Sequence, residues 1–176
     1  QICKIEKKFD KIMNSSEKSS MPLKSYNGSV RKEWIDDNNH MNVAYYVLAF
    51  DYATDAFFNH LGLSKAYKEG ANVSTFAVDM NVSYKRELRF GELFRIETHL
   101  IDFSDKALHY FHEMFHAEES FLAATNEVLS MHMNMKTRRI APMATEIKAR
   151  VKEVYESNKF LTRPRLVGRT IGIRRK

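Results

Sequence analysis

The sequence predicts an α+β fold in which an antiparallel sheet of about five strands wraps around one long central helix. Three observations predict it. One long helix-forming segment, 43–61, carries apolar residues nearly all round, the mark of a buried helix. Long strand-like segments come after it at 73–84, 93–103, 107–116 and 121–135, joined by links short enough for hairpins. A shorter strand-like run precedes the helix at 29–35. A sheet curled over the helix lets both elements bury their apolar faces.

Residues 1–28 form a polar leader or linker. Ile2, Ile5, Phe9 and Ile12 recur at helical spacing, then Asn14–Ser20 is polar and Pro22 interrupts the chain. The chain begins at Gln1, which fits a piece of a longer protein. Ser29–Ile35 reads as the first strand and runs into the polar segment Asp36–Asn42. In the helix, Val43, Tyr46, Val47, Phe50, Ala53, Thr54, Phe57, Phe58 and Leu61 keep a 3-4 spacing. Asn42 suits the N-cap and Gly62 the stop. In 73–84 the residues Phe76, Val78, Met80, Val82 and Tyr84 alternate with Asp79, Asn81 and Ser83, as on a half-buried strand. A last helix at 145–157 sets Ile147, Val151 and Val154 on one side. The division is thus leader 1–28, sheet-and-helix domain 29–140, and C-terminal helix with basic tail 141–176. Edge strands of such a sheet commonly pair between copies, so a homodimer or homotetramer is expected.

Composition narrows the function. Hydrophobic residues are 44% and charged residues 28%, ordinary for a globular chain. Cys3 is the single cysteine, which excludes an internal disulfide or a cysteine metal cluster. No apolar run reaches the roughly 20 residues of a membrane span, and no secretory signal is present, so a cytoplasmic protein without membrane attachment is expected. The net charge of +6 comes largely from a tail with Arg163, Arg165, Arg169, Arg174, Arg175 and Lys176. No nucleic-acid module accompanies it, so the tail reads as a solvated terminus or an aid to an anionic ligand, and nucleic acid is not an expected partner. His112 and His116 are four apart, about 13 Å along a strand, so no metal site is expected.

The run Asp36-Asp37-Asn38-Asn39-His40-Met41-Asn42-Val43-Ala44-Tyr45-Tyr46 resembles the signature of the 4-hydroxybenzoyl-CoA thioesterase-like hotdog family. That signature is an Asp, three residues, His, one residue, Asn-Asn, two residues and Tyr ahead of a helix. Asp36, His40, Asn42 and Tyr46 match, Asp51 falls where the family has an acid within the helix, and Val43 replaces the second Asn. The stretch Val82–Glu92, with Gly91 in its turn, is similar to the family's second strand and turn. The segment Leu108–Ala117 with Leu122–Glu127 is similar to betainyl-CoA thioesterases of carnitine breakdown.

The resemblance implies a hotdog fold and hydrolysis of a small acyl-CoA, with coenzyme A as part of the substrate and no separate cofactor. It implies Asp36 as the catalytic carboxylate, either attacking the carbonyl or activating water, against a plain turn or capping role shared with Asp37. His40 either hydrogen-bonds substrate or braces the loop, and Asn42 either joins the site or caps the helix. Backbone N–H groups of Val43 and Ala44, at the positive end of the helix, suit the thioester oxygen. Trp34, Tyr45, Tyr46, Phe111, Asp51 and Glu127 are candidates for the acyl pocket, since rings and a carboxylate suit a quaternary ammonium. Asp51 and Glu127 could equally make structural hydrogen bonds. Lys85, Arg86 and Arg89 are candidates for the CoA phosphates. The alternatives are a non-catalytic acyl-CoA-binding hotdog domain and a hotdog enoyl-CoA hydratase or dehydratase.

Overall fold

A computed structural model describes residues 22–173, so the amphipathic pattern in the leader and the last three basic residues lie outside the described residues. The elements are β1 (Leu23–Ser29), α1 (Val43–His60), α2 (Lys65–Ala71), β2 (Val73–Tyr84), β3 (Leu93–Phe103), β4 (Ala107–His116), β5 (Leu122–Asn134), β6 (Arg139–Ile140) and α3 (Thr145–Asn158). The sheet is antiparallel in the order β1-β3-β4-β5-β2, with β6 paired to the end of β5.

Helix α1 starts where the Asn42 side chain accepts from the Ala44 N–H at 3.0 Å, and it ends at Gly62, whose φ of +85° suits a residue without Cβ. Its buried face is Tyr46, Ala49, Phe50, Ala53, Phe57 and Phe58. These meet the inward residues of the sheet, which by strand alternation are Phe94, Ile96, Thr98 and Leu100 on β3, the even-numbered residues of β4, and Ala124, Asn126, Val128 and Ser130 on β5. Its apolar girth predicts a helix buried all round, and it is not. Five strands cover only part of the cylinder, and Val43, Ala44, Asp51 and Asp55 remain exposed.

Two core clusters share α1. One centres on Trp34, Met41, Phe50, Phe94 and Met114. The other gathers Phe57, Phe58, Tyr110 and Val128 with Ile147 and Val151 of α3.

The first strand is a correction. It is Leu23–Ser29, pairing β3 with Ser29 opposite Leu93, so it begins inside the segment expected as a leader. Residues Lys32–Trp34 form a single 3-10 turn, and Ile35 makes one isolated bridge to Met41. The chain bends there because Trp34 must turn into the core. A second difference lies in β2, where the register shifts between Ala77 and Asp79. This bulge sends Val78 outward, so Phe76 falls on the face opposite Met80, Val82 and Tyr84. Helix α2 is short and has no buried residue, so it left no apolar periodicity to read.

Beyond α3 the chain crosses the outer face of the sheet. The Gly168 N–H donates to both Glu127 carboxylate oxygens at 2.8 and 3.0 Å, and Asn81 Nδ2 donates to the Arg169 carbonyl at 2.7 Å.

Phe57 touches the rings of Phe58 and Tyr110 at centroid distances of 6.1 and 5.4 Å and is fully buried. Phe57→Ala is expected to lower the unfolding free energy by about 3–5 kcal/mol, from lost transfer energy plus a cavity, as measured by urea titration.

Candidate active site

The first turn of α1 is the pivot of the site. The Asp36–His40 turn before it is closed by Asp36 N–H to the His40 carbonyl at 3.1 Å and Asn39 N–H to the Asp36 carbonyl at 3.0 Å. Asn39 takes a φ of +63°, which asparagine tolerates. Within the turn, Asp36 Oδ1 accepts the Asn38 N–H at 2.9 Å and lies 3.8 Å from His40 Nδ1, with 22% of the Asp36 side chain exposed. Asp36 is therefore fixed next to the helix start, with one oxygen committed to the turn.

Of the two helix amides expected to hold an oxyanion, Ala44 N–H is spent on the Asn42 side chain. That is a correction for Ala44, and it makes Asn42 a helix cap. The Val43 N–H precedes the capped amide and projects from the positive end of the helix. Beside it, His40, Val43, Tyr46, Tyr84 and Glu87 line a concavity of about 190 Å³. Tyr46 accepts the Leu88 N–H at 3.0 Å, and burial, with Glu87 and Glu92 nearby, pushes its hydroxyl up to about 12. It stays a neutral phenol.

On the other side of the turn a groove of about 420 Å³ runs along α1. Its helix wall is the stripe Ala44, Val47, Leu48, Asp51, Thr54, Asp55 and Phe58, residues three and four apart and so on one face. Its sheet wall is Thr75, Ala77 and Met80 of β2, Tyr110 of β4, and Asn126, Val128 and Ser130 of β5, while Lys68 of α2 stands at its edge. Burial raises the Asp51 carboxyl above the usual carboxylate range, the neighbouring Asp55 charge adds to this, and Lys68 opposes it. Lys68 is shifted down by burial and held up by Asp55 and Asp51, with its ammonium 5.0 Å from the Phe58 ring centre.

Behind the groove, His112 fixes helix to sheet. Thr54 donates to the Phe50 carbonyl at 2.9 Å, so its oxygen accepts from His112 Nε2–H at 3.0 Å. Nδ1 then accepts the Thr98 hydroxyl at 2.8 Å, and Ser25 lies 2.7 Å beyond. Complete burial depresses His112 to about 3, with His99 nearby adding to the effect, so it is a neutral hydrogen-bonding post and not a base at neutral pH.

The acyl-pocket candidates separate. Asp51 lines the groove. Trp34 is buried in the core, stacked on Tyr45 at 5.4 Å. Phe111 and Glu127 are opposite each other in register on the outer face, Glu127 bonded to His109 at 2.8 Å and to Gly168. The cause is the two-residue period of a strand. On β4 both faces are apolar, Tyr110 inward and Phe111 outward, so composition could not tell which faced the helix. Asn126, one residue from Glu127, is the polar group that points inward, and sequence reasoning missed it.

Arg86 pairs with Glu119 at 3.1 Å and lies over Phe121. Arg89 pairs with Glu87 at 2.6 Å. No ion pair involves Lys85 among the described residues. Among those residues, too, no three His, Cys, Asp or Glu come together as a metal-binding group, and no helix is long and apolar enough to cross a membrane.

A curled sheet closed over one helix, with a polar turn at the helix start and a groove along its open face, is the hotdog arrangement of acyl-thioester proteins. The chain belongs to the thioesterase-like superfamily, whose family model matches residues 30–151. It is 32% identical over 154 residues to the betainyl-CoA thioesterase of Pseudomonas aeruginosa, covering 88% of this chain and 97% of that protein. It is 27% identical to the L-carnitine dehydrogenase/betainyl-CoA thioesterase of Rhizobium meliloti, covering 89% of this chain but only 32% of that one. A Staphylococcus aureus protein solved in complex with CoA superposes with a TM-score of 0.82 at 30% identity, covering 90% of this chain and 100% of its own. A DHNA-CoA thioesterase from the same organism shares the fold, with a TM-score of 0.70 at 20% identity, over 76% of this chain and 91% of its own.

The buried imidazole sets a pH dependence. His112 has a folded value of about 3 against the ordinary 6.5, so below pH 6.5 the unfolded chain takes up a proton that the folded chain refuses. Its contribution to stability is complete above pH 6.5 and falls by about 1.4 kcal/mol per pH unit below it, until about pH 3. Urea unfolding between pH 4 and 6.5 is expected to show this slope reduced by one proton in His112→Gln.

Proposed function

We propose that the chain hydrolyses a small acyl-CoA thioester to free acid and CoA, and that the acyl group is betainyl. The observation that carries this is the groove, which begins at Ala44 in the first turn of α1 and continues past Asp51 and Asp55, with Asp36 in the turn that leads into that helix. Membership of the thioesterase-like superfamily and the likeness to a betainyl-CoA thioesterase support the same reaction. A betainyl group ends in a trimethylammonium, a permanent cation. Two carboxylates against one ammonium, Lys68, leave the groove net negative, which favours such a head.

In this scheme Asp36, braced by its turn and close to His40, takes a proton from water. The hydroxide adds to the thioester carbonyl carbon, and the oxygen turns its new negative charge towards the Val43 N–H at the helix start. The carbon–sulfur bond breaks, and the CoA thiolate recovers the proton from Asp36. Direct attack by Asp36 is the covalent form of the same chemistry. Coenzyme A arrives with the substrate, and the scheme uses no metal or other cofactor. Lys85, which unlike Arg86 and Arg89 makes no ion pair among the described residues, is the basic group best placed to take a CoA phosphate.

One observation favours a second reading of the base: Asp51 lines the groove directly and has a raised carboxyl, as a general base commonly does. Thiol release from betainyl-CoA separates the two. With Asp36 as base, Asp36→Asn is expected to lose about 100- to 10,000-fold in kcat and Asp51→Asn less than about tenfold. The reverse pattern moves the base to Asp51, and a parent chain that binds saturated acyl-CoA esters without releasing thiol is a binding domain rather than a thioesterase.

The open edge of β2 supports a homodimer. This strand ends the sheet order with one side unpaired among the described residues, and Val78 is 55% exposed on it, an edge that invites pairing. Val78→Lys is expected to shift the mass in light scattering from two copies towards one.

A further inference from the structure

The groove along α1 is longer than a betainyl group. Its helix wall runs from Ala44 to Phe58, about 21 Å at the helical rise of about 1.5 Å per residue. In the proposed reaction the thioester carbonyl sits at the Val43 N–H. From that carbonyl carbon a betainyl group extends three bonds to its outermost methyls, roughly 4 Å. Asp51 and Asp55 stand about 12 and 18 Å along the axis from Val43. Helical side chains lean back towards the helix start, which brings Asp51 to the limit of that reach and leaves Asp55 beyond it.

Strand β2 gives the same distances. The Tyr84 hydroxyl donates to the Val43 carbonyl at 3.3 Å, so Tyr84 marks the helix start on the sheet. The nearest β2 residue that lines the groove is Met80, about 13 Å further along the strand, and Ala77 and Thr75 lie further still. The wall that β2 gives the groove therefore starts past the end of a betainyl group.

The order of side chains along the helix defines what the longer space fits. Between Ala44 and the acids the lining residues are Val47 and Leu48, apolar surface suited to methylenes. Asp51 and Asp55 follow on the same face, one turn apart and both exposed. At the far end the Phe58 ring already faces a cation, with the Lys68 ammonium 5.0 Å from its centre. The sheet wall supplies contact rather than charge, since the Asn126 Oδ1 is closed off from solvent and has no hydrogen-bond partner. An apolar stretch followed by two carboxylates and a ring is complementary to a cation carried on a methylene spacer.

We infer that the groove takes acyl groups whose quaternary ammonium stands four to six bonds from the thioester carbonyl, from 4-trimethylammoniobutyryl to 6-trimethylammoniohexanoyl, with betainyl as the shortest member of the series. The inference rests on the proposed hydrolysis and extends its substrate class without changing its chemistry. Each added methylene moves the cation about 1.3 Å along the groove. Two to four of them carry it roughly 2.5 to 5 Å further, from the near side of Asp51 into the space between Asp51 and Asp55.

The test is thiol release by the full chain from betainyl-CoA, 4-trimethylammoniobutyryl-CoA and 6-trimethylammoniohexanoyl-CoA. Each methylene buried on Val47 and Leu48 is expected to raise kcat/KM by about two- to fourfold, so that one of the longer esters exceeds betainyl-CoA by about fivefold. Asp55→Asn is expected to lower kcat/KM for the longest ester by about threefold or more beyond any loss on betainyl-CoA, through KM. Leu48→Ser is expected to shrink the gain per methylene. Should that variant fail to fold by circular dichroism, Val47→Ser is read in the same way. Longer esters turned over no better than betainyl-CoA overturn the inference and leave betainyl hydrolysis standing. An equal effect of Asp55→Asn on all three esters overturns it too, because the cation then does not reach that carboxylate. A parent that releases thiol from none of the three removes the thioesterase reading itself.

Discussion

The helix Val43–His60 stays in the hollow of the sheet because Phe50, Ala53 and Phe57 exclude water there, and the remaining geometry depends on that seat. Apolar contact alone would let a helix slide or roll. The Thr54–His112–Thr98 chain, bonded at 3.0 and 2.8 Å, is directional and fixes both the roll and the depth. With the roll fixed, the stripe from Ala44 to Phe58 must face the uncovered side. Polar groups on that stripe can then meet polar groups of β5 across a gap that neither element fills. The site is the part of the helix that the sheet does not reach.

The cost of this arrangement is an imidazole that must stay neutral. A charged ring would need solvent that the core does not admit, and either neighbour would have to give up its hydroxyl geometry. Such a polar link specifies one packing of helix on sheet where apolar side chains would allow several.

Much of this was legible in the residues. The ends of β2, β3 and β4 agree with alternation read along the chain, because each strand stops at a link of small and polar residues. Helix α1 was legible from its spacing, its Asn42 cap and Gly62. What failed did so for identifiable reasons. The segment Ser29–Ile35 carries Val30, Trp34 and Ile35, enough apolar weight to look like a strand, whereas the true strand Leu23–Ser29 is an edge with little apolar content. The Val78 bulge leaves no mark, since Val78 sits in perfect alternation until a partner strand fixes the register. Phe111 and Glu127 were assigned to the pocket because one strand cannot report which of its faces meets a helix. Asn126 escaped notice because an asparagine within Ala123-Ala124-Thr125-Asn126 carries no signal until its bonding partners are known to be missing.

The segment beyond α3 has a consequence for how copies can gather. Its Pro164 is buried, its Gly168 occupies the Glu127 carboxylate and its Arg169 carbonyl accepts from Asn81, so the outer face around Glu127 and Asn81 is covered by the protein's own backbone. A second sheet laid over that patch at the roughly 10 Å spacing that stacked sheets adopt would first have to displace this segment.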